Sequence, residues 1–387
     1  MTDVIIIGGG PAGLYAARCL AREGFDITVI EEHHVAGEPV HCTGILAPEA
    51  FDEFELPRSS ILNELKTVQF YSPTGQVIRY VTDHAEALVV DRRVFDQDLS
   101  SLARNEGVET CLGRTVDGIT VDSTSVSVHC AGEERPRISR ACIIATGAVY
   151  GLHRNLGLGF PPLFLNSAQI EVPVARSGDV ELHFGSEVAP KGFGWVAPVR
   201  RASENRARVG VICEGNATQF FSRFLDRVRR RWGIEASQGI VPRQRMLPLA
   251  PIRKTYGNRL LVTGDAAGLV KPTTGGGLYN GIVSSAIAAE IMADALRRDR
   301  LSESALRAYQ TCWQDRLMEE LEAQLTLRLL LQRLTDPEIE GIFDLAATDG
   351  LMPLIRKTAT FNRHRGLILA LVKYPSTRKI LFRKLVQ

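Results

Sequence analysis

Four apolar residues in a row, Val4, Ile5, Ile6 and Ile7, run into a cluster of glycines. Beyond it, apolar positions recur with helical spacing over 14–23, and a second strand-like run covers 25–30 and ends at Glu31. This predicts a buried strand over 3–7, a helix and a second strand, in that order. Alternating segments predict strands over 67–71, 76–81 and 87–90, the first two joined as a hairpin through Ser72, Pro73, Thr74 and Gly75. Asp91 opens a helix reaching about Asn105, with Phe95, Leu99 and Leu102 inward. A strand over 108–112, a β-meander over 115–130 and an apolar strand over 140–145 follow.

Residues 161–214 read as a second sheet with strands over 167–174, 180–184, 193–199 and 206–213. The helix over 219–232 turns Phe220, Phe221, Phe224, Leu225 and Val228 inward and its arginines outward. A strand over 258–262 returns the chain to the first sheet. Residues 278–331 read as helical, with Glu319, Glu320 and Glu322 solvated. Two short apolar helices, 366–372 and 379–386, are rimmed by Lys373, Arg378, Lys379, Arg383 and Lys384.

A chain of 387 residues exceeds one ordinary domain and can enclose a ligand. No apolar run reaches the ~18 residues of a membrane span, and nothing before the first strand reads as a signal peptide. The seven cysteines form no CxxC pair. They imply reduced thiols in a cytoplasmic protein, with no disulfide framework, metal site or iron–sulfur cluster. Residues 355–387 hold nine Lys and Arg and no Asp or Glu, so a basic end sits on an acidic body. That pattern suits an anionic surface as partner, with no nucleic acid expected; the two short basic helices either lie in an anionic membrane surface or pack on the body with a solvated basic face.

Gly8, Gly10 and Gly13 satisfy G-x-G-x-x-G between strand and helix. Gly8 permits the turn, Gly10 lets the backbone approach a pyrophosphate, and Gly13 lets helix and strand pack. The helix N-terminus, from Ala12 on, offers free N–H groups to phosphates. Glu31 is placed to accept from a ribose hydroxyl. Ala145, Thr146 and Gly147 form a small-residue turn at the carboxyl end of a strand, where open α/β sheets bind ligands. Gly264 and Asp265 follow the returning strand, and Pro272, Gly275, Gly276 and Gly277 lead into a helix. An Asp that accepts from a sugar alcohol, beside a helix N-terminus that stabilises an anionic ring, describes a flavin better than a nicotinamide.

Three further elements have two readings. Cys42, beside His41 and Gly44, lies near a cofactor or is a small buried thiol. Arg92 reaches a phosphate or ring edge, or is a solvated charge. Phe193 and Trp195, alternating with Gly192 and Gly194, face a flat or apolar ligand, or pack the sheet core.

In that order these motifs resemble the flavoprotein hydroxylase-like group of FAD enzymes, and within it the geranylgeranyl reductases. The narrower likeness rests on two elements. His41, Cys42, Thr43, Gly44 and Ile45 resemble a Cys-x-Gly loop beside the flavin, with Ile45 where a second glycine is common. Residues 190–198 resemble a Pro-x-x-Tyr-x-Trp-x-Phe-Pro element over the substrate cavity, with Phe193 and Ala197 where the family has Tyr and Phe.

The resemblance implies an α/β fold: a Rossmann-like FAD-binding domain (1–63, 87–160 and 245–300), an inserted antiparallel β-sheet substrate domain (64–86 and 161–244), and a C-terminal helical region (301–387). It implies FAD-dependent reduction of isolated C=C bonds in the polyprenyl chain of a lipid, quinone or chlorophyll precursor. Cys42 and His41 are then candidate proton donors, and Phe193 and Trp195 shape an apolar channel. The electron donor would be NADPH, NADH or reduced ferredoxin, and the location peripheral at the inner face of the membrane. A flavin monooxygenase acting on a small aromatic or quinone is the alternative.

Overall fold

The computed structural model describes residues 1–201, 204–235, 241–348 and 351–382. The first sheet has Thr2–Ile7 at its centre, paired in parallel with Ile27–Glu31 on one side and Arg137–Ile144 on the other. Glu109–Leu112 extends it at one end and Leu260–Val262 at the other, both in parallel register. All four residues from Val4 to Ile7 are buried. A central parallel strand covered on both faces needs such an unbroken apolar run. The helices Pro11–Arg22, Leu278–Arg297 and Glu303–Leu331 cover the sheet, and their apolar faces share one core with it. The carboxyl ends of these strands deliver Gly8, Glu31, Ala145 and Thr263 to one edge.

The second sheet runs Arg243–Pro248, Phe164–Pro173, Asn205–Cys213, Phe193–Arg200, Val180–His183, Thr67–Tyr71 and Val77–Val81. Its pairs are antiparallel except Val180–His183 with Thr67–Tyr71. One face packs on the helix Ala217–Trp232, whose Phe221, Phe224, Val228 and Trp232 form the buried stripe. On the other face, Phe70, Leu182, Phe193 and Trp195 line a cavity. A three-stranded sheet of Ile45–Leu46, Ala87–Val90 and Ile61–Leu65 joins the two halves.

The structure changes several readings. The boundary at 244/245 cuts the strand Arg243–Pro248, which pairs with Phe164–Pro173 and so belongs to the second sheet. Residues 64–65 lie in the connecting sheet instead. The helical run 278–331 breaks after Arg297, because Ser302 caps a new helix by accepting from the Ala305 N–H. Glu320 is not simply solvated: it accepts from the backbone N–H groups of His364 and Arg365 and from Gln324. Arg231, read as an outward charge, pairs with buried Glu181 and lies 4.6 Å over the Tyr71 ring. The last helices are Arg365–Lys373 and Pro375–Phe382, and Arg383 and Lys384 lie outside the described residues.

Candidate active site

The cradle at the sheet edge follows from three glycines with different surroundings. A Cβ on Gly8, at φ +110°, would sit 2.3 Å from the Ala145 carbonyl oxygen, and one on Gly13 would sit 2.0 Å from the Gly8 oxygen. Those glycines are demanded by the chain's own backbone. Gly10 differs: a Cβ there would meet no atom within 4 Å. The space in front of Gly10 is open, and the N-terminus of Pro11–Arg22 has no side-chain cap. Its free N–H groups therefore face that space. Glu31 accepts from the Gly9 N–H at 2.6 Å and the His33 N–H at 3.0 Å, which fixes its carboxylate beside the opening.

Opposite the cradle, Asp265 lines the same cavity, and burial raises its carboxyl pKa. A Cβ on Gly277 would fall 2.3 Å from Asp265 Oδ1, so only glycine lets this loop pass the carboxylate. Ala145, Gly147, Gly264, Gly275 and Gly276 also line the cavity. Pro272, read as a cofactor contact, does not: it is buried and its carbonyl accepts from Arg328 Nε at 2.8 Å.

Arg92 is no solvated charge. It is largely covered and forms a two-pronged pair with Asp96, at 3.0 and 2.9 Å, with the Cys42 thiol in hydrogen-bonding reach. Burial works against its charge, but the Asp96 carboxylate outweighs it and the guanidinium pKa is raised.

The loop bearing Cys42 is pinned from the second sheet, by residues that carry no motif. Gln169 donates to the His41 carbonyl and accepts from Thr43 Oγ1 at 2.9 Å. Buried Arg208 donates to the carbonyls of Thr43 and Val90 at 2.6 and 2.8 Å, while Glu171 holds its other edge. Gly44, at φ +64°, is required because a Cβ would press on the Val90 oxygen at 2.7 Å. Burial, reinforced by Arg245 and Arg243, pushes the His41 imidazole down to about 4, so its ring is neutral at pH 7 and is a poor source of a proton.

Beyond this loop the cavity becomes apolar. Phe193, Trp195 and Ala197 face it from one strand, Val68 and Phe70 from the next hairpin, and Leu182 from between them. Trp195 lies across its partner Gly210, where a Cβ would come within 2.3 Å of the ring. Its indole Nε1–H is buried with no partner.

The far wall comes from the C-terminal region: Ile355, Phe361, Asn362, His364 and Leu367 line it. Lys271 meets that wall, donating from Nζ to Asn362 Oδ1 at 2.7 Å and to the Phe361 carbonyl at 3.1 Å. Burial pushes Lys271 down to about 8, and burial with Lys271 nearby pushes His364 down to about 4. Neither residue sits in a recognisable motif; the only signal was a lysine just before the glycine turn. The whole cavity holds about 930 Å³.

The open space at Gly10, the uncapped helix, two carboxylates for sugar hydroxyls and a glycine turn entering the helix Leu278–Arg297 fit an extended flavin dinucleotide. Among the described residues no His, Cys, Asp and Glu cluster could hold a metal ion.

Residues 2–159 match the pyridine nucleotide-disulphide oxidoreductase family model. The chain is 30% identical over 359 residues to a digeranylgeranylglycerophospholipid reductase of Methanocaldococcus jannaschii, covering 88% of this chain and 89% of the relative. A second digeranylgeranylglycerophospholipid reductase, from Methanothermobacter thermautotrophicus, is 29% identical and aligns over 98% of both chains. Among solved structures, a geranylgeranyl bacteriochlorophyll reductase-like protein of Thermoplasma acidophilum superposes with a TM-score of 0.84 at 23% identity, covering 100% of this chain and 98% of the other. The halogenase PltM, solved with phloroglucinol and FAD, shares the fold at a TM-score of 0.69 and 16% identity, over 99% of this chain and 85% of that one.

Proposed function

This chain belongs to the geranylgeranyl reductase family of FAD-dependent oxidoreductases, and we propose that it reduces isolated C=C bonds in the polyprenyl chain of a geranylgeranyl lipid. One observation carries the reading: the dinucleotide cradle and the apolar lobe are a single cavity, with the Cys42 loop at their junction. FAD, bound along Gly10, Glu31 and Asp265 and then reduced, would supply hydride to an alkene.

The protein's part is to hold an unactivated double bond still and dry. Such positioning contributes about 7–11 kcal/mol where the geometry is near that of attack. Phe193 and Trp195 offer flat apolar walls, and Ala197 leaves room for a branched methyl group. Gln169 and Arg208 keep the Cys42 loop from drifting into that space. The C-terminal wall excludes water. The proton that completes the reduction is assigned to the Cys42 thiol rather than to the neutral His41 ring.

NADPH, NADH or reduced ferredoxin would deliver the electrons, since the sequence carries a single nucleotide fingerprint. Among the described residues no helix is long and apolar enough to cross a membrane. Exposed Lys373, Arg378 and Lys379 support peripheral contact with an anionic surface.

The test is anaerobic incubation of flavin-loaded, dithionite-reduced protein with a digeranylgeranyl phospholipid, followed by lipid mass spectrometry. A gain of one hydrogen pair per reduced bond is expected. Purified protein that takes up no FAD, or a lipid of unchanged mass, would overturn the reading.

A further inference from the structure

We propose that Lys271 is a positioning residue for polyprenyl binding: its side chain ties the segment that closes the apolar lobe to the glycine loop of the cofactor cradle. This rests on the reductase reading above.

The same residue serves both sides. Its backbone shapes the glycine loop, its N–H donating to Gly276 O at 3.1 Å and its carbonyl accepting from Gly275 N at 2.9 Å. Its side chain holds the cap, through Asn362 Oδ1 and the Phe361 carbonyl, with Nζ 4.4 Å from the Phe361 ring centre. Asn362 in turn donates to Glu49 at 2.9 Å. Thr273, two residues along the loop, pairs with His364 and donates to Gln324, each at 2.8 Å. Phe361, Asn362 and His364 all face the cavity.

A lysine only 4% exposed, held by two neutral oxygens of one segment, is a poor choice for stability alone. Among the described residues it forms no ion pair. Its side-chain hydrogen bonds both go to a segment whose Phe361, Asn362 and His364 line the cavity. Opening the cap would return the ammonium to water, so the charge keeps the tie releasable.

The groups around it are Glu49, Glu320 and Arg328 on neighbouring helices and His364 on the segment itself. His364 is neutral from pH 7 upward, which leaves Lys271 as the group that titrates near pH 8. Burial lowers its pKa in the closed form, so raising the pH through 8 relieves the cost of closing and tightens the cap.

Hydrogen exchange on the flavin-loaded protein, with and without substrate kinetics, tests this. In the wild type, protection of residues 359–367 rises between pH 7 and pH 9. In Lys271→Met it is flat with pH and lower than in the wild type at pH 9, where the neutral amine makes the tie without the cost of a buried charge. KM for the polyprenyl substrate rises about tenfold while kcat stays within roughly threefold. Asn362→Leu, which removes the tie from the other side, gives the same pattern. Unchanged protection and KM in both variants would refute the tie. A collapse of kcat with protection unchanged would also refute it, placing the ammonium at the proton step instead. A wild type that reduces no polyprenyl lipid would sink the reductase reading, while the exchange measurements still judge the tie.

Discussion

The two ends of the cavity are built on opposite plans. The cradle is backbone: Gly8, Gly13 and Gly277 sit where a single added carbon would strike a carbonyl or a carboxylate. The apolar lobe is side chain, assembled from three neighbouring strands of one sheet and the C-terminal segment. A backbone site tolerates almost no change, because peptide groups cannot be repacked. A side-chain site can be retuned one residue at a time, since neighbouring rotamers and volumes adjust.

The largest expected effect contrasts two glycines of the cradle itself. Gly13→Ala forces a Cβ to 2.0 Å from the Gly8 oxygen and should cost roughly 3 kcal/mol or more, with loss of flavin. Gly10→Ala meets no atom and should leave the melting temperature nearly unchanged while FAD affinity falls. Melting curves with flavin absorbance read both; equal destabilisation would erase the distinction between packing glycine and ligand glycine.

Next comes the lobe. Trp195→Ala removes the ring lying across Gly210. It should retain FAD and raise KM for a polyprenyl substrate by about 10- to 100-fold. Loss of flavin colour instead would show that the two ends are not separable.

Acid pH acts at both ends. His41 and His364 are each lowered to about 4 from the ordinary 6.5, mainly by burial. Between those values the unfolded chain binds protons that the folded chain does not. Stability therefore falls as pH drops from 6.5 toward 4 and levels off below. His41→Gln and His364→Gln should each flatten part of that slope in melting experiments. If neither does, the acid loss arises elsewhere.

The smallest effect lies outside the cavity. Replacing Lys373, Arg378 and Lys379 by Gln should weaken flotation with anionic vesicles by about 1 kcal/mol per charge, leaving FAD binding intact. Equal flotation would remove the tail from any membrane role.

The cradle was legible because its signals are local. Gly8, Gly10, Gly13 and Glu31 lie within one βαβ unit, and the hairpin over residues 67–81 and the helix Arg92–Asn105 also stand close to where periodicity put them. Pro272 misled because its neighbours line the cavity while its own carbonyl turns to Arg328. Glu320 misled because an exposed-looking helix face is where the C-terminal segment docks. The strand Arg243–Pro248 was missed because its pattern is polar, and it is held by pairing with Phe164–Pro173 at the edge of the sheet.

From the sequence alone came the dinucleotide cradle, the two-sheet plan and the family likeness, because each depends on residues close together in the chain or on spacing within one element. The tertiary structure decided the rest. It brought Gln169 and Arg208 onto the Cys42 loop, and Lys271 onto Phe361 and Asn362, contacts that span up to 165 positions. Such contacts leave no periodic trace in a single sequence, since an isolated polar residue reads the same whether it is solvated or buried against a carbonyl far along the chain.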